Sequence, residues 1–126
     1  MHRSRLCAIM IDCNADTMEA GVRFWQQALG MEARQTNDPT SPYVALAGGA
    51  GGLQLHLQRI QDASRIHLDI ETDNVEAEVL RLEKLGARRR AQIKTWWMME
   101  APSGHCFCVV PEHSEDFPAQ VHVWEA

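Results

Sequence analysis

The sequence predicts an α+β fold: two tandem βαβββ modules forming a curved eight-stranded sheet, with the helices outside. Three observations predict it. The chain repeats itself, because MIDCNADTMEAGVRFWQQALG (10–30) and HLDIETDNVEAEVLRLEKLG (67–86) share one grammar. Each copy carries a one-sided apolar stripe at helical spacing, closed by Leu-Gly. Each copy is then followed by three short apolar segments separated by turn residues.

The repeat aligns residue by residue. Asp12 falls on Asp69, Asp16 on Asp73, Glu19 on Glu76 and Val22 on Val79, all at one constant offset. After a single deletion, Leu29-Gly30 falls on Leu85-Gly86. Residues 6–12 and 65–71 are short and rich in Ile, Leu and Met, and read as the first strand of each module. A helix follows each. Asp16 with Glu19, and Asp73 with Glu76, stand at capping-box spacing, with Asp in place of Ser or Thr. Met18, Val22, Trp25 and Leu29 form one stripe, and Val75, Val79, Leu82 and Leu85 form the other. Gly30 and Gly86 suit the left-handed position that ends a helix.

Strands are expected at 32–36, 43–47 and 53–60 in the first module. In the second they are expected at 87–94, 95–100 and 106–111. NDPTSP, AGGAGG and PSG punctuate them. Residues 112–126 lie outside the repeat, and the alternating VHVW stretch reads as an added strand or a partner contact.

Size and composition bound the rest. The chain has 126 residues, 45% of them hydrophobic and 23% charged, as for one ordinary globular domain with its own core. The net charge of −5 and pI near 5.6 disfavour a nucleic-acid partner. The run Arg88-Arg89-Arg90 reads as a solvated strand face. No apolar run approaches the length needed to span a bilayer. The N-terminal MHRSRLCAIMIDCNAD carries Asp12 within its apolar part and reads as a strand, not a signal peptide. A cytoplasmic location is therefore expected, with Cys7, Cys13, Cys106 and Cys108 reduced. Their spacing is not the CxxC of zinc ribbons or thioredoxin-like sites.

Read in order, the motifs Asp12-Cys13-x-x-Asp16, Phe24-Trp25-x-x-Ala28-Leu29-Gly30, Arg65-x-His67-Leu68-Asp69-Ile70, Leu82-x-x-Leu85-Gly86-Ala87, Trp96-Trp97 and Pro102-x-Gly104-x-x-Phe107-Cys108-Val109-Val110 resemble a known family. This is the vicinal oxygen chelate superfamily of glyoxalases, bleomycin-resistance proteins and dioxygenases, in its glyoxalase-like subgroup. The resemblance spans residues 6 to 111. It implies that the sheet encloses a ligand cavity and that the chain forms a homodimer.

The resemblance also implies a divalent metal in that cavity, held by His, Gln or Glu from the first and last strands of each module. His67 matches the first strand of the second module. Its repeat equivalent is Met10, a soft thioether and a poor partner for a hard ion. Aligning Gly52 with Gly104 sets Gln54 opposite Cys106, which stands where the family carries a Glu. Metal ligands, if any, would be His67, Gln54 and Cys106.

We therefore expect a glyoxalase-like protein that holds a small apolar or aromatic molecule without the standard metal centre or any other cofactor. His67 is the candidate catalytic residue, and Met10, Gln54, His56, Trp96, Trp97 and Cys106 are candidate ligand-binding residues. Two other readings stay open: a divalent-metal-dependent lyase, isomerase or dioxygenase with atypical ligands, and a metal-free enzyme using His67 as general base. His67 also reads as a core histidine bonded to Asp12 or Asp69, and Cys106 and Cys108 as small buried hydrophobes.

Overall fold

The computed structural model describes residues 1–35, 38–48, 53–114, 117 and 121–125. Gly52, and with it part of the AGGAGG segment, lies outside them. The described chain is α+β. Its elements run β1 His2–Asn14, a 3-10 turn Ala15–Thr17, α1 Met18–Leu29, β2 Glu32–Gln35, β3 Tyr43–Ala47, β4 Gln54–Ile60, β5 Arg65–Thr72, α2 Val75–Lys84, β6 Arg88–Ile93, β7 Trp96–Glu100, β8 Cys106–Pro111 and β9 His122–Trp124. Two βαβββ modules are thus present, and β9 adds a ninth strand from the VHVW stretch. Contacts divide the chain into two compact units, residues 8–67, and residues 1–7 with 68–126.

In the 8–67 unit the strand order is β2-β3-β4-β1, with β1 and β4 parallel and the other pairs antiparallel. Ile11, Cys13, Val44, Leu46 and Leu57 form its core, and Met18, Val22 and Trp25 of α1 pack on them. Gly21 brings α1 close to the sheet, since a Cβ there would stand 3.1 Å from Cys13 Sγ. Burial, and then the neighbouring Asp12 charge, raise the Cys13 thiol above its ordinary pKa. Cys13 is therefore an inert core residue.

In the other unit the order is β5-β8-β7-β6, again with one parallel pair, β5 with β8. Val79, Met99 and Val109 are fully buried, and Val75, Leu82, Trp97 and Phe107 pack around them. β9 pairs antiparallel with the start of β1, His2 opposite Trp124. The arginine run is ion-paired across its neighbours: Arg88 and Arg90 reach Glu100, and Arg89 reaches Glu76 and Glu83.

The helix caps differ from the capping-box expectation. The Asn14 side chain accepts from Asp16 N, and Asn74, not Asp73, accepts from Ala77 N at the start of α2. Asp73 is unavailable because Arg3 binds its carboxylate through both N and Nε, at 2.8 and 2.9 Å. The expected apolar stripes also end early, for Leu29 is 45% and Leu85 67% exposed. Gly30 takes the left-handed conformation after α1, at φ 64°.

Candidate functional site

Strand alternation decides what each face of the 8–67 unit presents. Odd positions of β1 and β4, such as Ile11 and Leu57, face α1. Even positions face the opposite way. Register there sets Ala8 beside Gln54, Met10 beside His56, and Asp12 beside Gln58. Ala45 lies on the far side of His56, and Tyr43 on the far side of Gln58. One helix-free face thus gathers Met10, Asp12, Gln54, His56, Gln58 and Tyr43. His56 Nε2 and Gln54 Oε1 are 3.1 Å apart, and Gln58 donates to the Tyr43 hydroxyl at 3.5 Å.

Asp12 is the charged centre of this face, and only 1% of it is exposed. Its Oδ2 receives His67 Nδ1 at 2.5 Å and Arg65 Nε at 3.4 Å, both from the first residues of β5. Its Oδ1 is buried without a hydrogen-bond partner. A carboxylate only accepts, so the short contact puts the proton on Nδ1 and turns the ring's chemistry to Nε2. A buried charge costs much unless paired, and here Arg65 and His67 supply the pairing. Asp12 was legible in the sequence only as a residue sharing the Met10 face. Nothing local singles it out as the partner of a histidine in another strand.

The remaining candidates belong to the other unit. β7 and β8 register sets Met98 beside Cys108 and Glu100 beside Cys106. Trp96, Met98, Cys106 and Cys108 therefore share the face away from α2. Trp97 is on the opposite face, packed against the Val79–Met99–Val109 core and stacked under Arg89 at 5.0 Å. The structure does not bring Trp96 and Trp97 to one side.

The metal implied by the resemblance would have to be held by these donors. Met10 offers a thioether, is 5% exposed and stands beside His56, and Gln54 Oε1 is engaged by His56. Among the described residues of the 8–67 unit taken alone, no three His, Cys, Asp or Glu ligand atoms lie within 4.8 Å of one another. These residues do not fit a hard Lewis-acid centre; they fit a hydrogen-bonding face.

Comparison with known proteins places this arrangement. The family model described as Glyoxalase-like domain matches residues 8–110. No curated protein matches. Among solved structures, a hypothetical protein from Bacillus halodurans C-125 superposes with TM-score 0.63 at 11% identity, covering 89% of this chain and 96% of that one. Methylmalonyl-CoA epimerase from Mycobacterium tuberculosis gives 0.54 at 15% identity, with 86% and 88% covered. For 2,2',3-trihydroxybiphenyl 1,2-dioxygenase from Sphingomonas wittichii strain RW1 the values are 0.58 and 14%, with 88% of this chain but 42% of that enzyme covered. At such identities the structural likeness speaks for the fold alone. Among the described residues no helix is long and apolar enough to cross a membrane. The family match spans most of the chain, and the chain belongs to the glyoxalase-like domain family.

Proposed function

We propose that this domain binds a small organic molecule on the helix-free face of the 8–67 unit, with His67 as the principal polar contact. The observation that supports this reading is the 2.5 Å bond from His67 Nδ1 to the buried Asp12. It pre-orients the ring, so a ligand oxygen or nitrogen meeting Nε2 would not have to order it first. Met10 and Ala8 supply apolar floor, and Gln54 and His56 supply further hydrogen-bonding edges. Such a mixture suits a flat, largely apolar molecule with one or two oxygen functions. The resemblance adds a homodimer to this proposal, which the mass in solution tests directly.

The Asp12–His67 pair also favours a second reading, a metal-free enzyme in which His67 takes a proton from bound substrate. The epimerase and the dioxygenase named above carry their own activities, and neither is transferred here.

The test is a thermal-shift screen of small aromatic and carbonyl compounds, followed by calorimetry on His67→Ala and Asp12→Asn. Loss of a hydrogen bond to a polar ligand group should weaken binding by roughly tenfold or more. A ligand that binds both variants as well as the parent would remove His67 from the site. Turnover that survives chelator and disappears in His67→Ala would select the second reading.

A further inference from the structure

A second group of chemically active side chains lies among residues 1–7 and 68–126, and the ligand face plays no part in it. Cys7 from β1, Glu71 from β5 and His113 from the segment after β8 bring ligand atoms within 4.8 Å of one another. Backbone pairing holds the three together. Glu112 N donates to Thr72 O at 2.9 Å, which lays the 112–114 segment along the end of β5. Cys7 Sγ lies 3.4 Å from the Asp69 carbonyl, which fixes the thiol beside the same strand.

We propose that Cys7, Glu71 and His113 form a binding site for one zinc-type divalent cation. Zinc–sulfur and zinc–nitrogen bonds of about 2.3 and 2.0 Å at tetrahedral angles leave ligand atoms about 3.3–3.6 Å apart. Cys7 Sγ to His113 Nε2 is 3.8 Å, and His113 Nε2 to Glu71 Oε2 is also 3.8 Å. The edges of the tetrahedron are thus nearly formed, and small side-chain rotations would close them. One thiolate, one imidazole and one carboxylate make a borderline-soft set that suits zinc or cobalt better than magnesium or calcium.

The surroundings argue for the same use. Glu71 is fully buried, and its Oε1 has no hydrogen-bond partner. Ser114 Oγ donates to Oε2 at 2.5 Å, and the Arg5 Nε lies 3.7 Å from Oε1. Arg5 is thus on the far oxygen, and Ser114 orients the one that faces His113, as outer-shell donors do at metal sites. Without an ion, burial and then the Glu71 charge push the Cys7 thiol far up, so it stays protonated. An ion that supplies two positive charges would displace that proton and balance thiolate and carboxylate. Binding should therefore release about one proton and tighten as pH rises.

The probe is Co²⁺ added to the full-length chain stripped of metal, followed by absorption, with zinc competition and thermal midpoint in parallel. His113 is 48% exposed, so His113→Ala should fold normally. Cys7→Ser is the second variant, with Cys106→Ser, Cys108→Ser and His67→Ala as controls. The expected result is a thiolate-to-cobalt band at one ion per chain, displaced by zinc, with a raised thermal midpoint. His113→Ala should weaken it by more than the roughly 10–100-fold that an outer-shell partner costs, and Cys7→Ser should abolish the band. The controls should keep it. No band at millimolar Co²⁺, or a band that survives either variant, overturns the site.

Discussion

Asp12 Oδ2 and His67 Nδ1 meet at 2.5 Å, although the two residues stand 55 positions apart in the chain. This contact fixes which ring nitrogen carries the proton when His67 is neutral. Asp12→Asn should let the ring turn and mix tautomers. Nitrogen-15 shifts of the imidazole would report it: a single Nδ1–H form in the parent, and a substantial Nε2–H fraction in the variant. An unchanged spectrum would mean that packing, not Asp12, orients the ring.

Glu78 makes the fold acid-sensitive. It is fully buried, yet it accepts from Arg81 Nε and Nη2 at 2.8 Å and from Ser4 Oγ at 2.9 Å, with His2 Nε2 at 2.8 Å. Burial alone would raise its carboxyl, but the bonds from Arg81, His2 and Ser4 together hold it below the ordinary 4.5. A lowered folded value means that the stabilisation is complete above about pH 4.5 and is lost as pH falls through the folded value. Glu78→Gln should cost about 3 kcal/mol at neutral pH, because it leaves Arg81 with no buried partner. Denaturant midpoints against pH should be flatter in the variant below pH 5.

Two leucines on paper alike should behave differently. Leu57 is fully buried in the sheet core under α1, whereas Leu80 on α2 is 48% exposed. Leu57→Ala should destabilise by about 3 kcal/mol, from lost burial plus the cavity left behind. Leu80→Ala should change stability by under about 0.5 kcal/mol. Equilibrium urea unfolding of both variants checks the contrast.

The two helix-ending glycines differ in a similar way. Gly30 has φ 64°, and a Cβ there would meet nothing within 4 Å, so Gly30→Ala should cost only the left-handed strain, about 1 kcal/mol. Gly86 has φ 109°, and a Cβ there would meet Pro102 Cγ at 2.9 Å. Gly86→Ala should therefore cost more than Gly30→Ala in the same denaturant assay. Equal losses would show that Pro102 yields freely.

Local pattern was enough for the fold because the repeat writes every element twice. Strand alternation and helical stripes are properties of neighbouring residues, and the strands at 43–47, 53–60 and 106–111 correspond closely to β3, β4 and β8. The polar face of β4 was readable for the same reason, since Gln54, His56 and Gln58 alternate with Leu55 and Leu57. Cap identity was not, because Asp73 is drawn off by Arg3, a residue at the other end of the chain.

The sequence by itself determined the α+β class, the two modules, the helix-facing stripes up to Trp25 and Leu82, and membership of the family. Each of these depends on spacing along the chain. Only the tertiary structure decided that His67 is held by Asp12, that Trp97 belongs to a core while Trp96 does not, and that Cys7, Glu71 and His113 converge. Register between distant strands sets those contacts, and a shift of one residue would turn each side chain to the other face.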